Sequence, residues 1–216
     1  MYRMTNSGTK RPHTYHHGDL SNALVKAGLG LAREGGPDAI VLREAARRVG
    51  VSATAAYRHF SSLPELVNAV ALACLAELAR SMEAELARCD DVDDEEQQAW
   101  DRMCAIGRGY VRFALREPGL FAVAFNRTKR TLDPHGGTGD SGLSAKELLE
   151  RALDDLAAAG VLADSDREGA SMLAWASVHG LSQLFLGPMA DVPTPEREAI
   201  IEETLDLVGR GLMVRG

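Results

Sequence analysis

Residues 42 to 60 read Leu42-Arg-Glu-Ala-Ala-Arg-Arg-Val-Gly50-Val-Ser52-Ala-Thr-Ala-Ala-Tyr-Arg-His-Phe60. Leu42, Ala45, Ala46 and Val49 recur at the spacing of one helix face. Gly50 follows, at the position where a helix end favours the left-handed conformation that glycine adopts at no steric cost. Ser52 then offers a hydroxyl to cap a new helix, expected to run from Ala53 to about Phe60. Ala53, Ala56 and Phe60 face inward in it, while Thr54, Tyr57 and Arg58 face out. Two short helices joined by a glycine-containing turn form a helix-turn-helix. In such a unit the second helix enters the major groove by its N-terminal end.

That geometry names the candidate DNA contacts. Ser52, Ala53, Thr54 and Ala55 are small and let the backbone approach the groove. Thr54 can hydrogen-bond a base edge or set its methyl against thymine, and Arg58 can reach guanine or phosphate. Tyr57 and His59 can donate to phosphate oxygens, and Arg43 at the start of the preceding helix touches backbone, contacts that position without reading sequence.

Working outward, Leu20, Leu24, Ala27, Gly28 and Leu31 form one face of a helix that begins near Asp19 and ends at Gly35-Gly36-Pro37. Beyond Ser61-Ser62-Leu63, Pro64 suits the first turn of a long helix reaching about Cys89. The acidic run Asp90–Glu96 reads as a solvated loop or helix cap. Helical patterns resume through Trp100–Phe113, Leu120 to about Asn126, 143–159, 166–187 and Glu196 to about Met213. Nothing alternates like a strand. The expected fold is all-α with about nine helices: a three-helix DNA-binding domain, then a helical ligand-binding and dimerisation domain. The divisions are a flexible basic arm at 1–14, the DNA-binding domain at 15–62 and the regulatory domain at 63–216.

Charge agrees with a two-part chain. The net charge of −7 over 216 residues looks wrong for a DNA binder. Residues 1–70 nevertheless hold nine Lys/Arg against five Asp/Glu, a surplus of +4, which leaves −11 for the rest. Only one end is built to meet phosphate. Cys74, Cys89 and Cys104 are odd in number and form no CxxC pair, so neither a disulfide framework nor a metal site is expected. No apolar run approaches membrane-spanning length and the N-terminus is not a signal peptide, which points to the cytoplasm and no membrane partner. Gly137 and Gly142 have Walker-like spacing, but Leu143 stands where lysine is required. No GxSxG or HExxH is present, so the chain reads as no enzyme and no cofactor is expected.

The stretch from Leu42 to Phe60, with Glu65-Leu66 after it, resembles the N-terminal domain of the TetR family: an A-x-x-x-G-V-S turn and a Y-x-H-F end to the recognition helix. Tyr15-His16-His17-Gly18-Asp19-Leu20 resembles one branch of that family. The likeness covers about residues 15–72. It implies a homodimer on double-stranded operator DNA, a repressor released by a small apolar or amphipathic effector; an activator, a ligand-independent regulator or a helical small-molecule binder that never meets DNA are the alternatives. The family often places Lys-Glu at the start of the fourth helix, and Leu63-Pro64 here puts that one phosphate contact in doubt.

In the C-terminal half, Trp175-Ala-Ser-Val-His179-Gly180 resembles a C-terminal domain type named for its Trp-His-Gly motif. Trp175, His179 and Gln183 share one helix face, and Leu173, Gly180 and Leu184 lie on another. A core histidine and a pocket histidine are both open for His179. Trp100, Tyr110, Phe113, Phe121, Phe125, Trp175 and His179 are the candidate pocket, and core packing is the competing reading of the rings. Leu173, Gly180 and Leu184, with the stripe Ile201, Leu205, Val208 and Leu212, are the candidate dimer interface, two helices per subunit forming a four-helix bundle. A two-fold dimer predicts a near-palindromic operator. Binding to the DNA upstream of the chain's own gene should weaken roughly 10³-fold or more between 50 and 200 mM salt, as counterion release requires of a protein that neutralises several phosphates. A gel shift that is flat over this range would remove the DNA-binding reading.

Overall fold

The computed structural model describes residues 17–125 and 136–212, and among these the chain is all-α, with nine helices and no strand. The arm expected at 1–14 and the Leu212 side chain lie outside the described residues. The head consists of α1 (His17–Gly35), α2 (Leu42–Val49) and α3 (Ala53–Tyr57). They close around Leu24, Leu42, Ala45, Ala56 and Phe60, all buried. The recognition helix is shorter than the expected 53–60. It ends at Tyr57, and Arg58 to Phe60 close as a turn through His59 N–H and Phe60 N–H to the Ala56 carbonyl.

The long helix α4 (Leu63–Leu86) leaves the head and enters the body without a break. Leu66 and Val70 at its start are buried in the head, and Leu78 and Met82 are buried in the body. Gly28 of α1 lets the two helices touch, since a Cβ there would lie 2.4 Å from Val70 Cγ2.

The body is arranged around α5 (Glu95–Arg116), which packs against α4, α6 (Pro118–Phe125), α7 (Ala145–Ala158), α8 (Arg167–Leu186) and α9 (Thr194–Leu212). The acidic run before α5 starts the helix: the Asp94 carboxylate accepts from the N–H groups of Glu96 and Gln97. Ser144 and Glu147 form a reciprocal capping box on α7. Two ion pairs fix α9 along α5, Arg108 to Glu202 at 2.6 Å and Arg112 to Glu198 at 2.6 Å. Among the described residues no helix is long and apolar enough to cross a membrane.

Head and body meet at α6 as well as through α4. Glu117, just before α6, accepts from Arg33 Nε of α1 at 3.0 Å. Gly119 sits on the α1 backbone, where a Cβ would lie 2.1 Å from the Ala32 carbonyl oxygen.

The crossing of α4 and α5 depends on Gly109. A Cβ there would stand 2.6 Å from Met82 Cα and 2.7 Å from the Ser81 carbonyl oxygen, and the Ser81 hydroxyl donates to the Gly109 carbonyl at 2.9 Å. Alanine in place of glycine favours an exposed helix by about 1 kcal/mol. Here the obstacle is backbone, which cannot rotate aside, so overpacking decides the sign. Gly109→Ala should destabilise the fold by about 1–3 kcal/mol in urea unfolding. A neutral or stabilised variant would contradict this crossing.

Candidate DNA-reading head and effector cavity

The turn between α2 and α3 has the geometry its sequence requires. Gly50 takes φ 78° and its N–H bonds back to the carbonyls of Ala46 and Arg47. Ser52 Oγ accepts from Ala55 N–H at 3.2 Å and caps α3. Glu65 holds the far end, accepting from the N–H and the hydroxyl of Ser61 at 2.7 and 2.8 Å. The short helix is thereby fixed at both ends. Ala56 and Phe60 anchor it inward, while Ser52, Thr54, Tyr57 and Arg58 stand exposed and Ala53, Ala55 and His59 are half-buried.

The head's arginines divide into two groups. Arg48 grips Glu34 of α1 through both guanidinium nitrogens at 2.8 and 2.6 Å and reaches Glu44 at 3.2 Å. Arg47 is bidentate on Glu44 at 2.7 and 2.8 Å. Arg33 serves Glu117. Arg43 and Arg58 are exposed and form no ion pair with any described residue. A guanidinium already held bidentate by a carboxylate is poorly placed to hold a phosphate.

The body contains a cavity of about 960 Å³ between α4, α5, α7, α8 and α9. Of the seven candidate pocket residues, Trp100, Tyr110, Phe125 and Trp175 line it. Phe113 does not: it is fully buried one turn beyond Tyr110, the last α5 residue on the wall, and is core. Phe121 and His179 are not on the wall either but stand behind it, with His179 Nδ1 2.8 Å from the Tyr110 hydroxyl. Sequence reasoning missed Met82, Met103, Cys104, Leu149 and the charged end of the cavity, because which neighbouring helix a face meets is not written in its own period. Burial pushes the Cys104 thiol up to about 12, so it stays protonated and behaves as an apolar wall. Trp100 lies against α9 only because position 209 is glycine, as a Cβ there would fall 1.1 Å from the indole ring.

At the charged end Arg167 donates to Glu150 at 2.7 Å and to Asp154 at 2.7 Å, and Ser171 Oγ donates to Glu150 at 2.8 Å. Glu83 of α4 pins the loop bounding the cavity, accepting from Asp140 N–H at 2.8 Å, Ser141 N–H at 3.0 Å and Ser141 Oγ at 2.6 Å. The glycine-rich segment with Walker-like spacing is thus tied to α4 through its backbone.

The expected dimer stripe on α9 is corrected. Ile201 and Leu205 are buried inside the subunit, and Leu205 and Val208 line the cavity. The outward stripe lies one residue earlier: Ile200 and Thr204 are half-buried, Leu207 and Gly211 are exposed, and Leu207 is 55% exposed. On α8 the outward stripe is Leu173, Ser177, Gly180 and Leu184, with Leu173 44% and Leu184 45% exposed. A Cβ on Gly180 or Gly211 would meet nothing within 4 Å.

Residues 24–70 match the family described as bacterial regulatory proteins, tetR family, and residues 103–208 match the tetracyclin repressor-like C-terminal domain. The chain carries both domains of the TetR family. A protein of unknown function from Rhodococcus sp. RHA1 is 26% identical, with a TM-score of 0.74 over 94% of this chain and 100% of that one. The TetR fold also joins it to a TetR-family transcriptional regulator from Pectobacterium atrosepticum, 20% identical with a TM-score of 0.64 over 93% and 98% of the two chains. A TetR variant from Acinetobacter baumannii AYE, in complex with minocycline, is 20% identical with a TM-score of 0.59 over 88% and 94%. Among curated proteins no relative matches the sequence.

The carboxylate clamp in this TetR-type head gives a pH prediction. Hydrogen bonds from Arg47 and then Arg48 hold Glu44 down at about 2, and the hydrogen bond from Arg48 holds Glu34 low. Groups depressed in the folded state stabilise fully above their unfolded value, near 4.5, and lose that contribution as pH falls through the folded value. Arg48→Met should therefore lose stability relative to the native chain at pH 6, and the gap should close between pH 4.5 and 2. Circular dichroism during urea unfolding reads this, and a gap that does not vary with pH would show that the clamp carries no linked charge.

Proposed function

We propose that this chain is a transcription regulator that binds a near-palindromic operator as a homodimer and is released when a small amphipathic molecule fills its cavity. The observation that carries the reading is the continuity of α4: one helix begins among the residues that support α3 and ends on the wall of a 960 Å³ cavity. A pocket of this volume with apolar walls and a charged end is the form of a small-molecule site. The structural relative that holds minocycline supports a ligand within this fold.

On the DNA side, Thr54, Tyr57 and Arg58 project from α3, and Arg43 stands unpaired among the described residues at the start of α2. Ser52, Ala53 and Ala55 keep the near side of α3 shallow. Leu63-Pro64 removes one usual phosphate contact, and the helix N-terminus offers backbone N–H groups in its place. On the partner side, the outward stripes of α8 and α9 repeat every three or four residues and combine leucine with glycine, serine and threonine. Such faces allow close helix approach, and two pairs of them make a four-helix bundle across a two-fold axis. A dimer of that kind spaces two recognition helices about one DNA turn apart, roughly 34–36 Å.

Two sets of variants test the reading. Tyr57→Ala and Arg58→Ala should each weaken operator binding by about 1–3 kcal/mol, roughly 5- to 150-fold, while light scattering still finds the dimer. Leu184→Glu and Leu207→Glu should yield monomers that fold, and should lose operator binding with the dimer. Full affinity after both head changes would refute the recognition-helix assignment. A dimer that persists after both interface changes would refute the α8–α9 face.

A further inference from the structure

Tyr110 is the polar point at the aromatic end of the cavity. Burial pushes its phenol up and pushes the His179 imidazole down, so the phenol keeps its proton and the ring is neutral. The Tyr110 hydroxyl lies 2.8 Å from His179 Nδ1, and in the Nε2–H tautomer of the neutral ring it donates its one proton there.

The other surfaces of His179 meet rings. Its centroid lies 5.4 Å from Phe121 and 4.9 Å from Phe125, both on α6, and 6.0 Å from Trp175. Helix α6 is the one whose Gly119 rests on the α1 backbone and whose preceding Glu117 pairs with Arg33. The cavity wall is thus joined to the head by Tyr110, His179 and the α6 phenylalanines. The charged end is far off: Arg167 precedes His179 by twelve residues on α8, about 18 Å at the helical rise.

We propose that the Tyr110 hydroxyl is the contact that discriminates among occupants of the cavity, selecting aromatic molecules that carry an uncharged hydrogen-bond acceptor. This rests on the effector reading above. Tyr110 has one proton and two claimants. A carbonyl oxygen that takes it leaves His179 Nδ1 without a donor, and the imidazole shifts against Phe121 and Phe125. An occupant without an acceptor leaves the Tyr110–His179 bond in place and does not disturb α6. No bond to carbon forms or breaks, and only a hydrogen bond is exchanged. His179 is a positioning residue, since it does not touch the occupant.

The test uses the full-length protein, its upstream DNA and two probes of matched shape, benzophenone and diphenylmethane, which differ by the carbonyl. Both tryptophans of the chain line the cavity, so a change in intrinsic fluorescence, together with a rise in Tm, reports entry. The quantity read is the ratio of operator affinities with and without probe. Both probes should enter. Benzophenone should lower operator affinity at least tenfold and diphenylmethane less than threefold. In Tyr110→Phe, which removes only the hydroxyl, benzophenone should still enter and its ratio should fall to that of diphenylmethane. His179→Phe, which keeps a ring against α6, should do the same. Equal release by both probes, or an undiminished benzophenone effect in Tyr110→Phe, overturns the inference while sparing the effector reading. Failure of both probes to enter, or entry without any change in operator affinity, overturns the effector reading and this inference together. Should Tyr110→Phe not fold, the contrast between the two probes on the native chain decides alone.

Discussion

Everything in this molecule is held at the spacing that α4 sets. The helix is gripped near both ends by neighbours that come within van der Waals contact of it, at Val70 by Gly28 and at Met82 by Gly109. Each grip exists because one side chain is missing. Between them the helix continues without a break, so neither end can turn without the other. A second strut, from Ala32 through Gly119 to α6, triangulates the same junction. A head on one linker would swing freely. A head braced on two helices has only a small set of orientations, and such bistable contacts are the kind a ligand can bias.

Much of this was legible in the sequence, for a physical reason. The helix-turn-helix is specified locally: Gly50 demands a left-handed turn, Ser52 caps the helix that follows, and Ala45, Ala46 and Ala56 mark the inward side. Each signal acts within four residues, which is the range over which sequence patterns are readable. The same holds for the outward stripe of α8, where Leu173, Gly180 and Leu184 are exposed as their spacing implies.

What was not legible depends on distant partners. Helix α9 carries two apolar stripes one residue apart. The sequence favours Ile201, Leu205, Val208 and Leu212 as an interface because they form an apolar stripe, but the core takes Ile201 and Leu205, leaving Leu207 and Gly211 exposed and Ile200 and Thr204 half-buried. Phe113 and Tyr110 are three residues apart on α5, yet one is core and the other lines the cavity, a difference made by where along α5 the cavity stops. Charge behaves alike. Counting gives the head its positive surplus, but only the fold shows that Arg33, Arg47 and Arg48 serve carboxylates while Arg43 and Arg58 stay open to another partner.

The placement of α7 has a consequence for how such a protein can change. It contributes Leu149, Glu150 and Asp154 to the cavity, and it packs on α4, α5 and α8 on the side away from α1 to α3 and apart from the outward stripes of α8 and α9. Its own start is secured by the Ser144–Glu147 box and does not depend on what the cavity holds. Substitutions along this one wall can therefore remodel the shape and charge of the cavity while the head and the outward stripes of α8 and α9 keep their residues. On the function proposed above, a lineage could acquire a new chemical signal through α7 and retain its old address on the genome.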